Sequence, residues 1–204
     1  MPIVTQIHAR QSVVEIEADG ATVARVRREY FARCPLSPGD EIEVDGYIDR
    51  VASVQLSDAY EAALTSLERC DRTARDLALS LRRRGYVEPA VKAVIERLTE
   101  NGLIDDARYA RRMAQLQSAK PVGVYAFKRK LRAKGIGEDD AQEALEAFDD
   151  GQQQAAARQA AEKLFRKYES LPKREARAKL SQALARRGFG WDAIQCAVDA
   201  LLDD

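Results

Sequence analysis

Histidine is almost missing from this chain. His8 is the single one, and it sits in a β-branched stretch, so no Ser-His-Asp or Cys-His set can be assembled around it. Cysteine is scarce as well. Cys34, Cys70 and Cys196 are odd in number, far apart and without a CxxC pair. The expected reading is core-filling or inert thiols in a reducing compartment, with a redox switch as the alternative. No glycine-rich phosphate loop exists: Gly135-Ile136-Gly137 is a helix stop that lacks the lysine spacing of a P-loop. No apolar run approaches membrane-span length, and the opening MPIVTQIHARQ has no apolar signal core. The expectation is a cytoplasmic protein with no membrane partner. Asp105-Asp106, following Leu103-Ile104, reads as a helix cap and not as a metal site. The chain is therefore expected to be no enzyme, with no cofactor and no metal.

What is present is a soluble-protein composition: 204 residues, 46% hydrophobic and 32% charged, with a formal net charge of zero. The first segment differs from the rest. In SVVEIEADGATVARV, β-branched residues alternate with charged or small ones around Asp19-Gly20, a dipeptide whose tolerance of positive φ suits a two-residue hairpin turn. Ile3 to Ala9 can add a third strand. Arg27 to Cys34 reads as one or two helical turns stopped by Pro35, and Pro38-Gly39-Asp40 as a further turn. From Asp45, the spacing of Ile48, Val51 and Val54 suits a short helix, with a strand as the alternative. Beyond Ser57 the pattern is helical, with Ser57 or Asp58 as a cap. One helix then carries Tyr60, Ala63, Leu64 and Leu67, a second runs to Arg84-Gly85, and a third extends from Glu88-Pro89 to Asn101-Gly102.

The helical part repeats. LRRRGY (Leu81 to Tyr86), LRAKGI (Leu131 to Ile136) and LARRGF (Leu184 to Phe189) share a leucine four residues before glycine, a cation just before it and an apolar residue just after. Eight residues before the glycines stand Leu77, Phe127 and Leu180. Downstream, Val91, Val94, Ile95 and Leu98 are matched by Ala141, Ala144, Leu145 and Phe148, then by Ile194, Ala197, Val198 and Leu201. Asp106 to Ser118 and roughly Gln154 to Glu169 supply the first helices of the later copies. A glycine spacing of about fifty residues is the length of a three-helix unit with short loops. The expected architecture is mainly α: three tandem three-helix repeats in an elongated curved array, preceded by a small β-hairpin subdomain. The expected divisions are 1–57, 58–102, 103–150 and 151–204.

Charge is sorted within that plan. Cations gather on the second helix of each copy, most densely from Lys128 to Lys134, where five of seven residues are basic. Acids such as Glu138, Asp139, Asp140, Glu143, Glu146, Asp149 and Asp150 fall on the following helix of the middle copy. Complementing the helix dipole accounts for part of this, at roughly 0.3–1 kcal/mol per charge. A solvated face is the bland alternative to a basic stripe that attracts nucleic acid or an acidic protein groove. The candidate contact residues are Arg82, Arg83, Arg84, Lys128, Arg132, Lys134, Arg186 and Arg187. Tyr86, Tyr125 and Phe127 lie near them, at a spacing that suits core more than base stacking.

The segment RRRGYVEPAVKAVIERLTENGLIDDARYARRM, followed by LRAKGI and LARRGF, resembles the RecX family of bacterial recombination regulators over about residues 58–204. NGLIDDARYA is its most specific piece, and the N-terminal hairpin resembles an extension found in some members. The chain departs from the pattern at Asp71-Arg72-Thr73-Ala74-Arg75, where many members are more clearly marked by serine. The resemblance implies a modulator, usually an inhibitor, of the RecA recombinase, in the setting of DNA repair, recombination and the SOS response. Its partners would be RecA and the RecA–single-stranded DNA filament, bound in the filament groove, which would limit ATP hydrolysis, strand exchange and co-protease action. Weak direct DNA binding and a monomeric state complete the expectation. The rival function is a direct nucleic-acid-binding module that uses the same cations on phosphates.

Overall fold

The computed structural model describes residues 1–118, 120–146 and 148–202. They divide into two compact units, Met1–Asp105 and Asp106–Asp204.

The first unit opens with strands β1 (Val4–Ala9), β2 (Val13–Ala18) and β3 (Ala21–Arg27), an antiparallel sheet in that order. Asp19 and Gly20 both take positive φ, 48° and 79°, as the tight β2–β3 turn requires. The alternation puts Val14, Ile16 and Ala18 of β2, with Ala24 and Val26 of β3, into the core. On the other face Glu15 receives Arg10 and Arg25, each at 3.1 Å, and His8 lies exposed beside Glu17. Helix α1 (Arg28–Phe31) is the short turn expected before Pro35.

The next helix corrects the expected boundary. Helix α2 runs unbroken from Val44 to Arg69, so neither Ser57 nor Asp58 caps it, and the division expected at 57/58 falls inside one element. Its cap is Glu43, whose carboxylate accepts from the Asp45 and Gly46 backbone N–H groups. The helix continues because its buried face never loses phase: Tyr47, Val51, Gln55, Ala59, Ala63 and Ser66 follow at steps of three and four. Asp58 turns its side chain to Tyr30 instead, accepting that hydroxyl at 3.0 Å. Burial and this bond raise the Tyr30 pKa, and burial pushes the Tyr47 phenol up to about 12.

Helix α3 (Ala74–Arg83) is capped by Thr73, which accepts from the Asp76 N–H. Helix α4 (Glu88–Glu100) carries Val91, Val94 and Leu98 into the same core as the sheet, with Leu77 and Leu81 of α3. Each fully buried leucine of this kind is worth about 1.5–3 kcal/mol.

The second unit holds the other two copies. Helix α5 (Asp106–Ser118), α6 (Val124–Ala133) and α7 (Glu138–Leu145) enclose Phe127, Leu131, Ile136, Ala141 and Ala144. Phe148 closes that core with its ring centroid 5.1 Å from Phe127. Helix α8 (Asp150–Phe165), α9 (Lys173–Arg186) and α10 (Trp191–Leu202) enclose Leu180, Leu184, Phe189, Ile194, Ala197 and Val198. Helix α8 starts and ends four residues earlier than expected, because Asp149 caps it by accepting the Gln152 N–H. Asp149 and Asp150 thus belong to α8 and not to the preceding helix. The core-filling reading of the cysteines fails at Cys70, which is exposed, while Cys34 and Cys196 are half-covered.

The repeat is geometric as well as compositional. Arg84, Lys134 and Arg187 end their helices at φ/ψ of −81/−2°, −81/−4° and −79/−1°. Gly85, Gly135 and Gly188 follow at φ of 83–85°. A side chain at such a φ costs roughly 1–2 kcal/mol. Gly188 carries a further demand, because the start of α6 lies on it and an added Cβ would strike the Ala126 backbone. At Gly102, also left-handed, an added Cβ would meet nothing within 4 Å. Gly102→Ala should therefore cost about 1 kcal/mol, and Gly188→Ala at least about twice that. Equilibrium urea unfolding of the two variants checks this; equal losses would show that the close approach at Gly188 carries no energy.

Candidate functional site

The cations proposed from sequence fall into two groups once their surroundings are known. Arg82, three residues before its glycine, meets Glu88, three residues after it, through Nε at 2.6 Å and Nη2 at 2.5 Å. Arg132 and Glu138 occupy the same two positions in the second copy and pair at 3.1 and 2.6 Å. Lys128, one turn earlier on α6, reaches the same Glu138 at 2.5 Å. These side chains form a clamp across the glycine turn, tying the end of one helix to the first residue of the next. The hydrogen bond from Arg82 holds the Glu88 carboxyl below its ordinary range, and Lys128, then Arg132, do the same to Glu138. Their charge is largely answered inside the fold.

The remaining candidates are placed differently. Arg84 lays Nη1 toward the Ala62 carbonyl at 3.4 Å. Lys134 is half-buried at the end of its helix. Arg83, Arg186 and Arg187 are exposed, and among the described residues none of the three side chains is engaged in an ion pair. Arg82, Arg83 and Arg84 belong to the first unit. Lys128, Arg132, Lys134, Arg186 and Arg187 belong to the second. Each unit therefore presents its own cationic cluster at a left-handed turn.

The third copy breaks the clamp pattern. Ala185 stands where Arg82 and Arg132 stand, and Trp191 where Glu88 and Glu138 stand. The turn is held instead by backbone. The Gly123 N–H donates to the Arg187 carbonyl at 3.3 Å and the Tyr125 N–H to the Gly188 carbonyl at 3.0 Å. The Val124 N–H donates to Gln153 Oε1 at 3.0 Å. Helix α6 has no side-chain cap of its own, so these acceptors satisfy the free donors of its first turn. In the first unit the fully buried Gln55 plays a related part. It accepts the Val87 N–H at 2.8 Å, and its amide approaches the Gly85 carbonyl at 3.4 Å.

Sequence reasoning placed Tyr86 and Phe127 correctly in the core but missed Tyr125, which is 56% exposed. It also missed Glu88 and Glu138 as clamp acceptors and the two buried glutamines. The clamp did leave a signal: an arginine three before and a glutamate three after each of the first two glycines. Among the described residues, no group of three or more His, Cys, Asp or Glu is arranged to hold a metal ion, and no helix is long and apolar enough to cross a membrane. A groove of about 510 Å³ between α2 and α4, lined by Leu56, Tyr60, Val94 and Arg97, holds no acid–base pair. The Arg97 guanidinium covers the Tyr60 ring there at 4.8 Å.

Family models describing the first, second and third three-helix domains of RecX match residues 59–98, 105–145 and 150–198. The regulatory protein RecX of Limosilactobacillus reuteri strain DSM 20016 is 30% identical over 197 residues, spanning 95% of this chain and 74% of its own. The chain belongs to the RecX family. The regulatory protein RecX of Bacillus subtilis strain 168 is 27% identical, over 98% of this chain and 78% of its own. A crystal structure of a regulatory protein RecX superposes with a TM-score of 0.69 at 28% identity, covering 98% of this chain and all of that one. The RecX crystal structure from Lactobacillus salivarius gives 0.64 at 29% identity, over 74% and 98%. The family name assigns a regulatory role, and the mainly helical fold with its N-terminal sheet agrees with RecX architecture.

The clamp makes stability depend on pH in a defined direction. Glu88 has a folded pKa below its unfolded one, so its contribution is present above the unfolded pKa, near 4, and is lost as pH falls through the folded value. Because the pair is exposed, Glu88→Gln should cost only about 0.5 kcal/mol at neutral pH. That gap from the wild type should close between about pH 5 and pH 3. Urea midpoints measured across this range test it; a gap that stays constant would rule out the ionised pair as its source.

Proposed function

We propose that this chain is a regulator that binds the RecA recombinase on its single-stranded DNA filament, in the filament groove, and restrains ATP hydrolysis, strand exchange and co-protease activity. The observation that carries this reading is the division of the arginines. Once the clamps have taken Arg82, Lys128 and Arg132, exposed guanidinium groups remain beside the left-handed turns at Arg83, Arg186 and Arg187. Membership of a family of regulatory proteins supports the role. A binding surface set out along tandem copies gains by avidity what each contact lacks, provided the copies can engage together. No catalytic residue is needed, since a ligand that prefers one filament state shifts the population toward it. The protein acts as a cytoplasmic monomer without cofactor, and binds free DNA only weakly.

The decisive measurement is the DNA-dependent ATPase of RecA with stoichiometric protein added. Inhibition is expected, and unchanged turnover would sink the reading. Arg83→Glu with Arg187→Glu should weaken inhibition about tenfold or more while leaving the circular dichroism unchanged, since charge reversal at an interface removes one attraction and adds a repulsion. Undiminished inhibition by that variant would move the contact surface elsewhere. Arg132→Glu is a poorer probe, because it also breaks the clamp on Glu138.

A further inference from the structure

Two aromatic side chains stand in solvent at the joint between the second and third copies. Tyr125 is 56% exposed and Trp191 67%. Single exposed apolar residues are ordinary, but these two flank one turn. The Tyr125 N–H is bonded to the Gly188 carbonyl, its ring edge lies 3.5 Å from where a Cβ on Gly190 would be, and Trp191 is the next residue. Neither ring pairs with another aromatic ring among the described residues. Trp191 also occupies the position that receives an arginine in the first two copies, so the third turn has an indole where the others have a neutralised ion pair.

Cations surround the same turn. Arg129 extends Nη2 to the Arg186 carbonyl at 3.5 Å, and Arg186 and Arg187 are exposed, without an ion pair among the described residues. Asp192, in the first turn of α10, is the acid next in sequence to the indole. Around this joint Gly123 packs on Gly188, Gly188 on Ala126, and Gly190 lies beside the Tyr125 ring. Residues this small offer no side-chain walls to seat an aliphatic or helical anchor.

We infer that this joint binds single-stranded nucleic acid, with unpaired bases stacked on Trp191 and Tyr125 and phosphates met by Arg129, Arg186 and Arg187. Aromatic faces accept any base without regard to sequence, while arginines track the backbone. A duplex keeps its bases stacked on one another, and an acidic peptide would answer the arginines but leave the rings without a planar partner. The inference deepens the proposed regulation, on which it rests, by giving this chain its own hold on the strand.

Trp191 is the sole tryptophan, so its fluorescence reports the site directly. Titrating the full chain with a short oligothymidylate at low salt should quench the emission, and an abasic oligomer of equal length should bind without quenching. Trp191→Ala and Tyr125→Ala should each weaken oligothymidylate binding about five- to tenfold, measured by anisotropy, with Trp191→Phe recovering most of the loss. Equal affinity of wild type and both alanine variants, or equal quenching by the abasic strand or by polyglutamate, overturns the stacking site. The two proposals fail separately. Absent quenching with RecA inhibition intact removes this site alone, and intact quenching without inhibition removes the regulatory reading alone.

Discussion

The left-handed residue that ends the second helix of each copy is the constraint from which the rest of the helical structure follows. A helix that stops at Arg84, Lys134 or Arg187 with near-identical dihedral angles and then reverses through glycine has a fixed exit direction. That direction drops Tyr86, Ile136 and Phe189 into their cores and starts the third helix close by. The leucines four positions upstream, Leu77, Phe127 or Leu180 eight positions upstream, and the third-helix residues downstream then share one apolar interior. A residue with a Cβ at the turn would strain all of these placements together.

That turn also decides the fate of the charges. Helix C-termini favour cations and N-termini favour anions. In the first two copies the reversal brings these ends within reach of each other, and the Arg–Glu clamps form. What looks in sequence like one basic stripe is therefore two populations: side chains engaged in holding the turn, and side chains left facing solvent. The third copy, with alanine and tryptophan at the clamp positions, fastens its turn through main-chain groups of α6.

Much of this was legible in the residues. The glycine-anchored repeat, the hairpin at Asp19-Gly20 and nearly all core positions follow from periodicity and turn chemistry. The long helix α2 was not, because Ser57-Asp58 carries a cap signal that tertiary bonding overrides: Asp58 is drawn to Tyr30 and the apolar phase runs on. The site was less legible than the fold. A cation's partner depends on distance in space, so Arg82 and Arg83 look alike in sequence yet differ entirely in surroundings. Gln55, Gln153 and Tyr125 act through backbone groups far away in the chain, which no local pattern records.

The crossing of α6 over the Gly188 turn has a thermodynamic character of its own. The second and third copies keep separate apolar cores, and the described link between them is mainly polar: peptide hydrogen bonds, the Arg129 guanidinium on the Arg186 carbonyl, one buried amide and two glycines in close approach. Heat capacity and denaturant sensitivity scale chiefly with apolar surface exposed on unfolding. A joint made of peptide groups adds little to either quantity. It would part with almost no calorimetric signature, even while it decides whether two neighbouring copies melt as one body or as two.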